Sequence, residues 1–120
     1  DQFGHDSGDR TLKAFAELIL ANIRSDDLAA RIGGEEFCIV LPNSSPRASA
    51  AVAERIRAQI EAMSVPTPSG LIRTTVSVGI AYSTGAETIQ SLLIRADEAL
   101  YEAKTSGRNR VKISSFGLVA

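Results

Sequence analysis

The chain has 120 residues, with 13 basic and 14 acidic side chains and a formal net charge of −1. That length predicts a single domain over residues 1–120, and the nearly balanced charge provides no global field that would draw the chain to nucleic acid or to an anionic membrane. No apolar run approaches the roughly 20 residues that cross a bilayer, and the single cysteine, Cys38, cannot form an internal disulfide, so we expect a cytoplasmic protein without direct membrane insertion.

The first part of the chain predicts a helix followed by a hairpin. Residues 1–9 are polar and contain glycine, so we expect a connector there, with Ser7 or Asp9 capping a helix that continues to about Arg24. Two runs of β-forming residues, 28–32 and 37–41, flank a short glycine-containing tip and predict a hairpin. Because the apolar residues of the second run are consecutive, we expect that strand to be buried on both faces.

The second part predicts two further helices and two further strand regions. Ser45 followed by Pro46 predicts the start of a helix with an apolar stripe at Val52, Ile56, Ile60 and Met63. Residues 65–70 predict a loop, and residues 71–83 one long strand or a bent pair. A helix from about Thr88 to Gly107 has its apolar face at Leu92, Leu93, Ala96, Leu100 and Ala103, and residues 110–114 predict the last strand. This order predicts a layered α/β domain with helices on a central, mainly antiparallel sheet.

The hairpin tip, Gly33-Gly34-Glu35-Glu36, contains the strongest chemical signal in the sequence. Glycine can adopt positive φ and lets a ligand approach the backbone, whereas two adjacent carboxylates repel each other unless a cation lies beside them. Mg²⁺ prefers oxygen ligands and keeps phosphate oxygens in its coordination shell. Turn chemistry alone favours a solvated turn with ordinary surface acids, so the assignment of a metal-binding role depends on the other motifs.

Taken together, the motifs resemble those of the GGDEF domains, the diguanylate cyclases of bacterial signalling. The resemblance covers nearly the whole chain and depends on five segments in this order: Phe3-Gly4-His5 with Gly8-Asp9; Arg24 with Asp27; Gly33 to Phe37; Ser77 to Ala81; and Ala96 to Lys104 with Gly107-Arg108-Asn109. It implies the palm-like nucleotide-cyclase fold. It also implies the condensation of two GTP molecules into cyclic di-GMP, with release of two pyrophosphates, by a homodimer that requires Mg²⁺ or Mn²⁺.

The resemblance assigns the catalytic and substrate-binding residues. Glu35 matches the metal-binding position that also accepts a proton, and Glu36 matches the adjoining acid. Gly33 and Gly34 match the glycines beside the triphosphate, Asp9 the acid on the guanine edge, and Lys104 and Arg108 the cations on the β- and γ-phosphates. From the residues alone, Asp9 is also a plausible helix N-cap, and Lys104 with Arg108 could simply complement a helix dipole.

A second set of residues matches the site at which the product inhibits the family. Arg24 and Asp27 form its core, Arg31 supports it, and Arg55 would complete it from the partner subunit. An arginine can engage both a phosphate and a guanine edge, and an aspartate accepts hydrogen bonds from guanine. The alternative is an ordinary helix-end arginine bridged to a loop aspartate.

The chain departs from the family at its start, because the first strand and first helix of the family precede the position of Asp1. We therefore expect an incomplete domain that does not turn over GTP by itself, within a protein that carries an upstream sensor or receiver; a tether to a membrane sensor is one such arrangement. The alternative function is a non-catalytic module that binds cyclic di-GMP or GTP. A third hypothesis is a purely structural dimerisation unit, which is less consistent with the paired acids beside glycines at the hairpin tip.

Overall fold

A computed structural model of the chain describes residues 2–33, 36–83 and 85–114. Along the chain the elements are α1 (Gln2–Asn22), β1 (Leu28–Gly33), β2 (Glu36–Val40), α2 (Pro46–Ala62), β3 (Ser64–Thr67), β4 (Gly70–Arg73), β5 (Val78–Ile80), α3 (Ile89–Thr105) and β6 (Val111–Ile113). The strands are hydrogen-bonded as three pairs: β1–β2 and β3–β4 are antiparallel and β5–β6 is parallel. The predicted mixed class with mainly antiparallel pairing is confirmed. The chain forms two compact units, residues 1–74 and residues 75–120.

In the first unit, α1 packs against α2 and β3. Its buried apolar residues are Phe15, Ile19, Ala53, Ile56, Ile60 and Val65. The predicted start of α2 is confirmed, since the Ser45 side chain accepts a hydrogen bond from the backbone N–H of Ala48 and Pro46 occupies the first turn. Its stripe is confirmed at Ile56 and Ile60, whereas Met63 lies just beyond the helix as the C-cap.

The start of α1 differs from the sequence prediction. The helix begins at Gln2, so residues 2–9 are not a connector, and neither Ser7 nor Asp9 is an N-cap. Ser7 is buried inside the helix and donates a hydrogen bond from its hydroxyl to the Ser69 hydroxyl at 2.9 Å. Tertiary packing therefore outweighs the weak helix propensity of the glycine-containing segment.

The loop predicted over residues 65–70 is also wrong. Ser64–Thr67 forms β3, which pairs with β4 so that Pro66 lies opposite Leu71. Proline has no N–H to donate, but a two-stranded ribbon has an outer edge where no donor is needed. Residues 71–83 form parts of two strands, β4 and β5, which pair with different partners.

The burial of β2 and of α3 also departs from the predictions. Residues Phe37 to Ile39 are half-buried and Val40 is 50% exposed, so β2 is not buried on both faces; β1 is its one strand partner among the described residues. On α3 the buried residues are Arg95, Ala99 and Ala103, one helical turn apart, whereas the predicted core residue Leu93 is 46% exposed. The positions of the apolar leucines predicted a buried face of α3 that differs from the observed one.

In the second unit α3 packs directly on β5 at Gly79. A Cβ atom built at Gly79 would lie within 3.0 Å of backbone atoms of Ala96 and Leu100. Backbone atoms cannot move aside as a flexible side chain can, so only glycine permits this distance between strand and helix.

We predict that Gly79→Ala lowers the free energy of unfolding by about 3 kcal/mol or more, because helix and strand would have to separate. Gly8→Ala is the matched control: Gly8 lies inside α1 and a Cβ there would meet no atom within 4 Å. That change should raise stability by about 0.5–1 kcal/mol. Urea unfolding of both variants measures the two effects. Destabilisation by Gly8→Ala would contradict a helix through residue 8.

Candidate functional site

A groove lies between α1 and the β1–β2 hairpin within the first unit. Its volume is about 440 Å³, and its polar lining consists of Asp9, Lys13 and Arg31. The rest of the lining is mostly apolar: Leu12, Ala16, Ile19, Leu20, Ala29, Ala30 and Phe37. A flat apolar ring fits such walls, and the charged groups at its mouth supply acceptors and donors that fix orientation. The structure therefore places Asp9 and Arg31 at one groove.

The hairpin beside this groove has an irregular register close to its tip. Arg31 pairs with Phe37 and Gly33 with Glu36, so β1 uses one residue more than β2 between these two pairs. Such a bulge bends the strand and redirects the residues that follow. Gly33 does not have the positive φ considered for it; a Cβ there would meet open space, so its backbone is accessible. Glu36 is exposed at the start of β2, and Gly34 and Glu35 lie outside the described residues.

The donor chemistry of the hairpin fits a hard divalent cation. Within the described part of the chain there is no group of three or more His, Cys, Asp or Glu side chains suited to a metal ion. Mg²⁺, however, is commonly bound through only one or two carboxylates together with phosphate oxygens of a substrate. Glu36 supplies one exposed carboxylate beside an open glycine backbone, which satisfies that requirement.

The C-terminal end of α3 determines the positions of Lys104 and Arg108 in the second unit. Gly107 has φ +129° and ends the helix as predicted, and the Arg108 N–H donates to the Ala103 carbonyl at 2.9 Å. Arg108 itself has φ 61°, and the following N–H, of Asn109, donates to the Ser77 hydroxyl at 3.2 Å. Both cationic side chains are exposed. The loop backbone that presents Arg108 is therefore fixed by hydrogen bonds.

A buried ion pair that the sequence analysis missed anchors α3. Arg95 and Glu87 side chains are only 9% and 8% exposed, and Arg95 Nε donates to Glu87 Oε2 at 2.8 Å. Arg95 also donates to the Tyr82 carbonyl and to the Ser114 hydroxyl, the latter at 3.2 Å. The hydrogen bond with Glu87 raises the pKa of Arg95 above its ordinary value. A signal existed in the sequence, because Arg95 precedes Ala99 and Ala103 at intervals of four residues.

The Arg24–Asp27 motif forms a tight turn after α1. The Arg24 backbone N–H donates to Asp27 Oδ2 at 2.7 Å, and the Asp27 N–H donates to the Arg24 carbonyl at 3.1 Å. The Asp27 carboxylate thus binds the Arg24 backbone, and the Arg24 side chain is exposed. The two residues are brought together as predicted, although the structure shows no bridge between guanidinium and carboxylate within the described residues.

Arg55, which the sequence analysis assigned to a partner subunit, contacts α1 of its own chain. Its Nε donates to Asn22 Oδ1 at 2.6 Å, and its Nη2 donates to the Asn22 carbonyl at 3.3 Å. Asn22 ends α1 and precedes Arg24 by two residues. Arg24, Asp27 and Arg55 therefore lie around the same end of α1, whereas Arg31 lines the groove with Asp9.

The mixed α/β architecture and the groove beside the β1–β2 hairpin agree with the palm-like class of nucleotide cyclases, to which similarity to solved GGDEF structures assigns the fold. The sequence model of the family described as "Diguanylate cyclase, GGDEF domain" matches residues 1–110. The chain belongs to this GGDEF family, and the resemblance found in the motifs is confirmed. No helix within the described ranges has both the length and the apolar character of a transmembrane segment.

Two relatives support this assignment. Diguanylate cyclase A of Treponema denticola is 44% identical over 119 residues, which cover 98% of this chain and 32% of that protein. Response regulator PleD of Caulobacter vibrioides is 40% identical over 114 residues, which cover 92% of this chain and 25% of that protein. The chain therefore spans less than a third of the length of either relative.

Solved structures of GGDEF domains are similar to this fold. The GGDEF domain of DgcB from Caulobacter crescentus, in complex with c-di-GMP, matches this chain with a TM-score of 0.88 and 35% sequence identity. The match covers 95% of this chain and 68% of the DgcB chain. The active GGEEF domain of a diguanylate cyclase from Vibrio cholerae matches with a TM-score of 0.82 and 36% sequence identity. This match covers 95% of this chain and 72% of the Vibrio cholerae chain. The predicted palm-like fold is confirmed.

We predict that Glu87→Gln lowers the free energy of unfolding by about 3–5 kcal/mol, because the Arg95 charge would remain buried without its counter-ion. The matched control is Glu61→Gln, since Glu61 is 49% exposed and lies 3.6 Å from Arg57. An exposed pair contributes less than about 1 kcal/mol. Chemical denaturation compares the variants; equal small losses would contradict a structural role for the buried pair.

Proposed function

We propose that the chain is the catalytic domain of a diguanylate cyclase, which joins two GTP molecules into cyclic di-GMP and releases two pyrophosphates. The observation that carries this proposal is the shared groove: Asp9 from α1 and Arg31 from β1 line it, and the same β1–β2 hairpin carries Gly33 and Glu36 close to its tip. Membership in the GGDEF family supports the same reaction. The Vibrio cholerae relative, whose active domain is of the GGEEF type, indicates that Glu35 in place of aspartate is compatible with activity.

Asp9 and the hairpin backbone would bind the nucleotide. Its exposed carboxylate accepts hydrogen bonds from the N1–H and amino group of guanine, a pattern that adenine does not offer. Leu12 and Phe37 supply apolar walls for the base. The open backbone at Gly33, together with Gly34, allows the triphosphate to approach the hairpin closely.

Glu35 would accept the proton of a ribose 3′-hydroxyl as that oxygen attacks the α-phosphorus of the second GTP. The new bond joins O3′ to the α-phosphorus, and the bond from the α-phosphorus to the pyrophosphate oxygen breaks. Glu36, with Glu35, would hold Mg²⁺ or Mn²⁺. When bound, such an ion supplies positive charge that offsets the charge of the triphosphate.

Lys104 and Arg108 would bind the β- and γ-phosphates. Arg108 suits this role because the hydrogen-bonded loop 107–110 fixes its backbone while leaving its side chain exposed. A guanidinium can contact two phosphate oxygens at once, and a lysine adds a point charge. The single family match across residues 1–110 supports one catalytic domain, and we retain the proposal that residues 1–120 belong to it.

Product would inhibit the enzyme at Arg24, Asp27 and Arg55, with Arg31 as a supporting residue. The first three residues are collected at the end of α1, and the two arginines are exposed and available to phosphate. We further propose a homodimer in catalysis, because each domain holds one GTP. Activity would require a protein longer than this chain. We propose that this longer protein carries an upstream sensor or receiver, and a sensor at a membrane is one form of that proposal.

The second candidate is a non-catalytic module that senses cyclic di-GMP. The exposed arginines around the Arg24–Asp27 turn favour it, because that arrangement does not depend on the hairpin acids. Incubating the intact protein with GTP and Mg²⁺ and measuring the cyclic dinucleotide by mass separates the two candidates. Binding of cyclic di-GMP without any turnover would support the sensor.

We predict that Glu35→Gln in the intact protein lowers the rate of cyclic di-GMP formation by about 10²- to 10⁴-fold, the range expected for removing a proton acceptor. The fold should be unchanged, as measured by the unfolding midpoint. Glu54→Gln on the exposed face of α2 is the control and should retain full activity. Turnover by Glu35→Gln at the wild-type rate would remove Glu35 from the mechanism.

We predict that Arg24→Ala raises the concentration of cyclic di-GMP needed for half inhibition by roughly 10- to 100-fold, because a charged hydrogen bond to the product is lost. The initial rate without added product should stay the same, since Arg24 follows the C-terminal end of α1 and is 15 residues from Asp9, which lines the groove. Initial rates over a range of product concentrations give the result. Unchanged inhibition would refute the role assigned to Arg24 and Asp27.

A further inference from the structure

Asn22, at the end of α1, takes part in four hydrogen bonds, three of which connect it to α2. Its Nδ2 donates to the Leu18 carbonyl and to Gln59 Oε1, each at 2.8 Å. Its Oδ1 and its carbonyl oxygen accept from Arg55 Nε and Nη2. Asn22 is half-buried, whereas Arg55 is exposed. Asn22 therefore holds a long cationic side chain on the surface, with its carboxamide accepting from Nε and its backbone carbonyl from Nη2.

The orientation of this carboxamide is fixed by its own partners. Both hydrogens of Nδ2 point to acceptors, the Leu18 carbonyl and Gln59 Oε1. The flipped amide would place its oxygen against those two acceptors, so only one orientation is favourable. In that orientation Oδ1 accepts from Arg55 Nε, and the Asn22 backbone carbonyl accepts from Nη2, so the side chain and the backbone of Asn22 together hold one edge of the guanidinium.

The opposite edge of the guanidinium remains open. Within the described residues, Arg55 Nη1 makes no hydrogen bond, and the side chain is exposed. Because Asn22 occupies the edge formed by Nε and Nη2, the edge formed by Nη1 and Nη2 is the one left to contact two oxygens of a phosphate. Arg24 follows Asn22 by two residues, at most about 7 Å of chain. Two exposed guanidinium groups thus lie near one end of α1.

We infer that Asn22 is a positioning residue for the binding of a guanine dinucleotide phosphodiester at the Arg24–Asp27 turn, acting by pre-ordering the guanidinium of Arg55. The inference rests on the product-binding site proposed above. A free arginine loses rotamer freedom when it binds, and an arginine already held by Asn22 loses less. The competing reading is that Arg55 only caps the carbonyls of α1, in which case Asn22 affects stability and not binding.

Titration calorimetry of the intact protein with cyclic di-GMP tests the inference. The part of the binding that Arg24→Ala abolishes is assigned to the Arg24–Asp27 site. Asn22→Ala should weaken this binding by about 3- to 10-fold, the effect of losing the pre-ordering of one long side chain. Arg55→Ala should weaken it further. The double variant Asn22→Ala/Arg55→Ala should bind no more weakly than Arg55→Ala, because Asn22 acts through Arg55.

Arg57→Ala is the matched control, since Arg57 lies on the same helix and its guanidinium binds Glu54, with Glu61 3.6 Å away. It makes the same change of charge and should leave binding unaltered. Gln59→Ala is a second test that leaves Asn22 in place; it removes one acceptor that orients the amide and should weaken binding by about 2-fold.

Three results would overturn the inference. Wild-type affinity in Asn22→Ala, with only a lower unfolding midpoint, would show a capping role alone. A double variant that loses the full product of both single effects would show that Asn22 acts independently of Arg55. Absence of cyclic di-GMP binding in the wild-type protein would refute the proposed product site itself, and the inference with it.

Discussion

The last carbonyl groups of a helix have no partners within the helix, and in this chain the way they are satisfied determines where several key cations lie. At the end of α1, the Asn22 carbonyl accepts from Arg55 Nη2, and in the turn that follows the Arg24 carbonyl accepts from the Asp27 N–H. At the end of α3, Gly107 reverses the backbone and the Arg108 N–H reaches back to Ala103. Cations at these ends also interact favourably with the helix dipole. The same local requirement thus stabilises each helix and places arginines at its exposed end.

The groove depends on a different constraint, the continuity of α1 through its glycine-containing start. Because the helix begins at Gln2, Asp9 lies within it, one turn before Lys13, and both side chains line the groove. An acid used as an N-cap would have its oxygens occupied by backbone N–H groups. Asp9 is therefore not held as an N-cap, and it lines the groove from within α1 instead.

Local signals in the sequence predicted the elements that have clear ends, such as the Ser45–Pro46 start of α2 and the Gly107 end of α3. They failed where long-range contacts decide the structure. The burial of Ser7 against Ser69 extends α1, and pairing with β4 converts the residues around Pro66 into a strand. Motif resemblance predicted the site residues, but not Asn22 or Lys13. The partners of Asn22 lie on α2, with Arg55 33 positions away, and Lys13 shares the groove with residues 29–31 of β1, so neither neighbourhood is visible in the local sequence.

Arginine fills two opposite roles in this chain, and solvation explains the difference. Arg95 is buried, and its donors are taken up by Glu87, Tyr82 and Ser114, so its contribution is structural. Arg24 and Arg55 are exposed, so water stabilises their charge, and the product site proposed above would use that exposure to bind phosphate. A binding arginine has to be held in place without having its donors saturated. Contact with a neutral amide satisfies both conditions for Arg55, whereas a carboxylate partner would compete with phosphate for the same guanidinium.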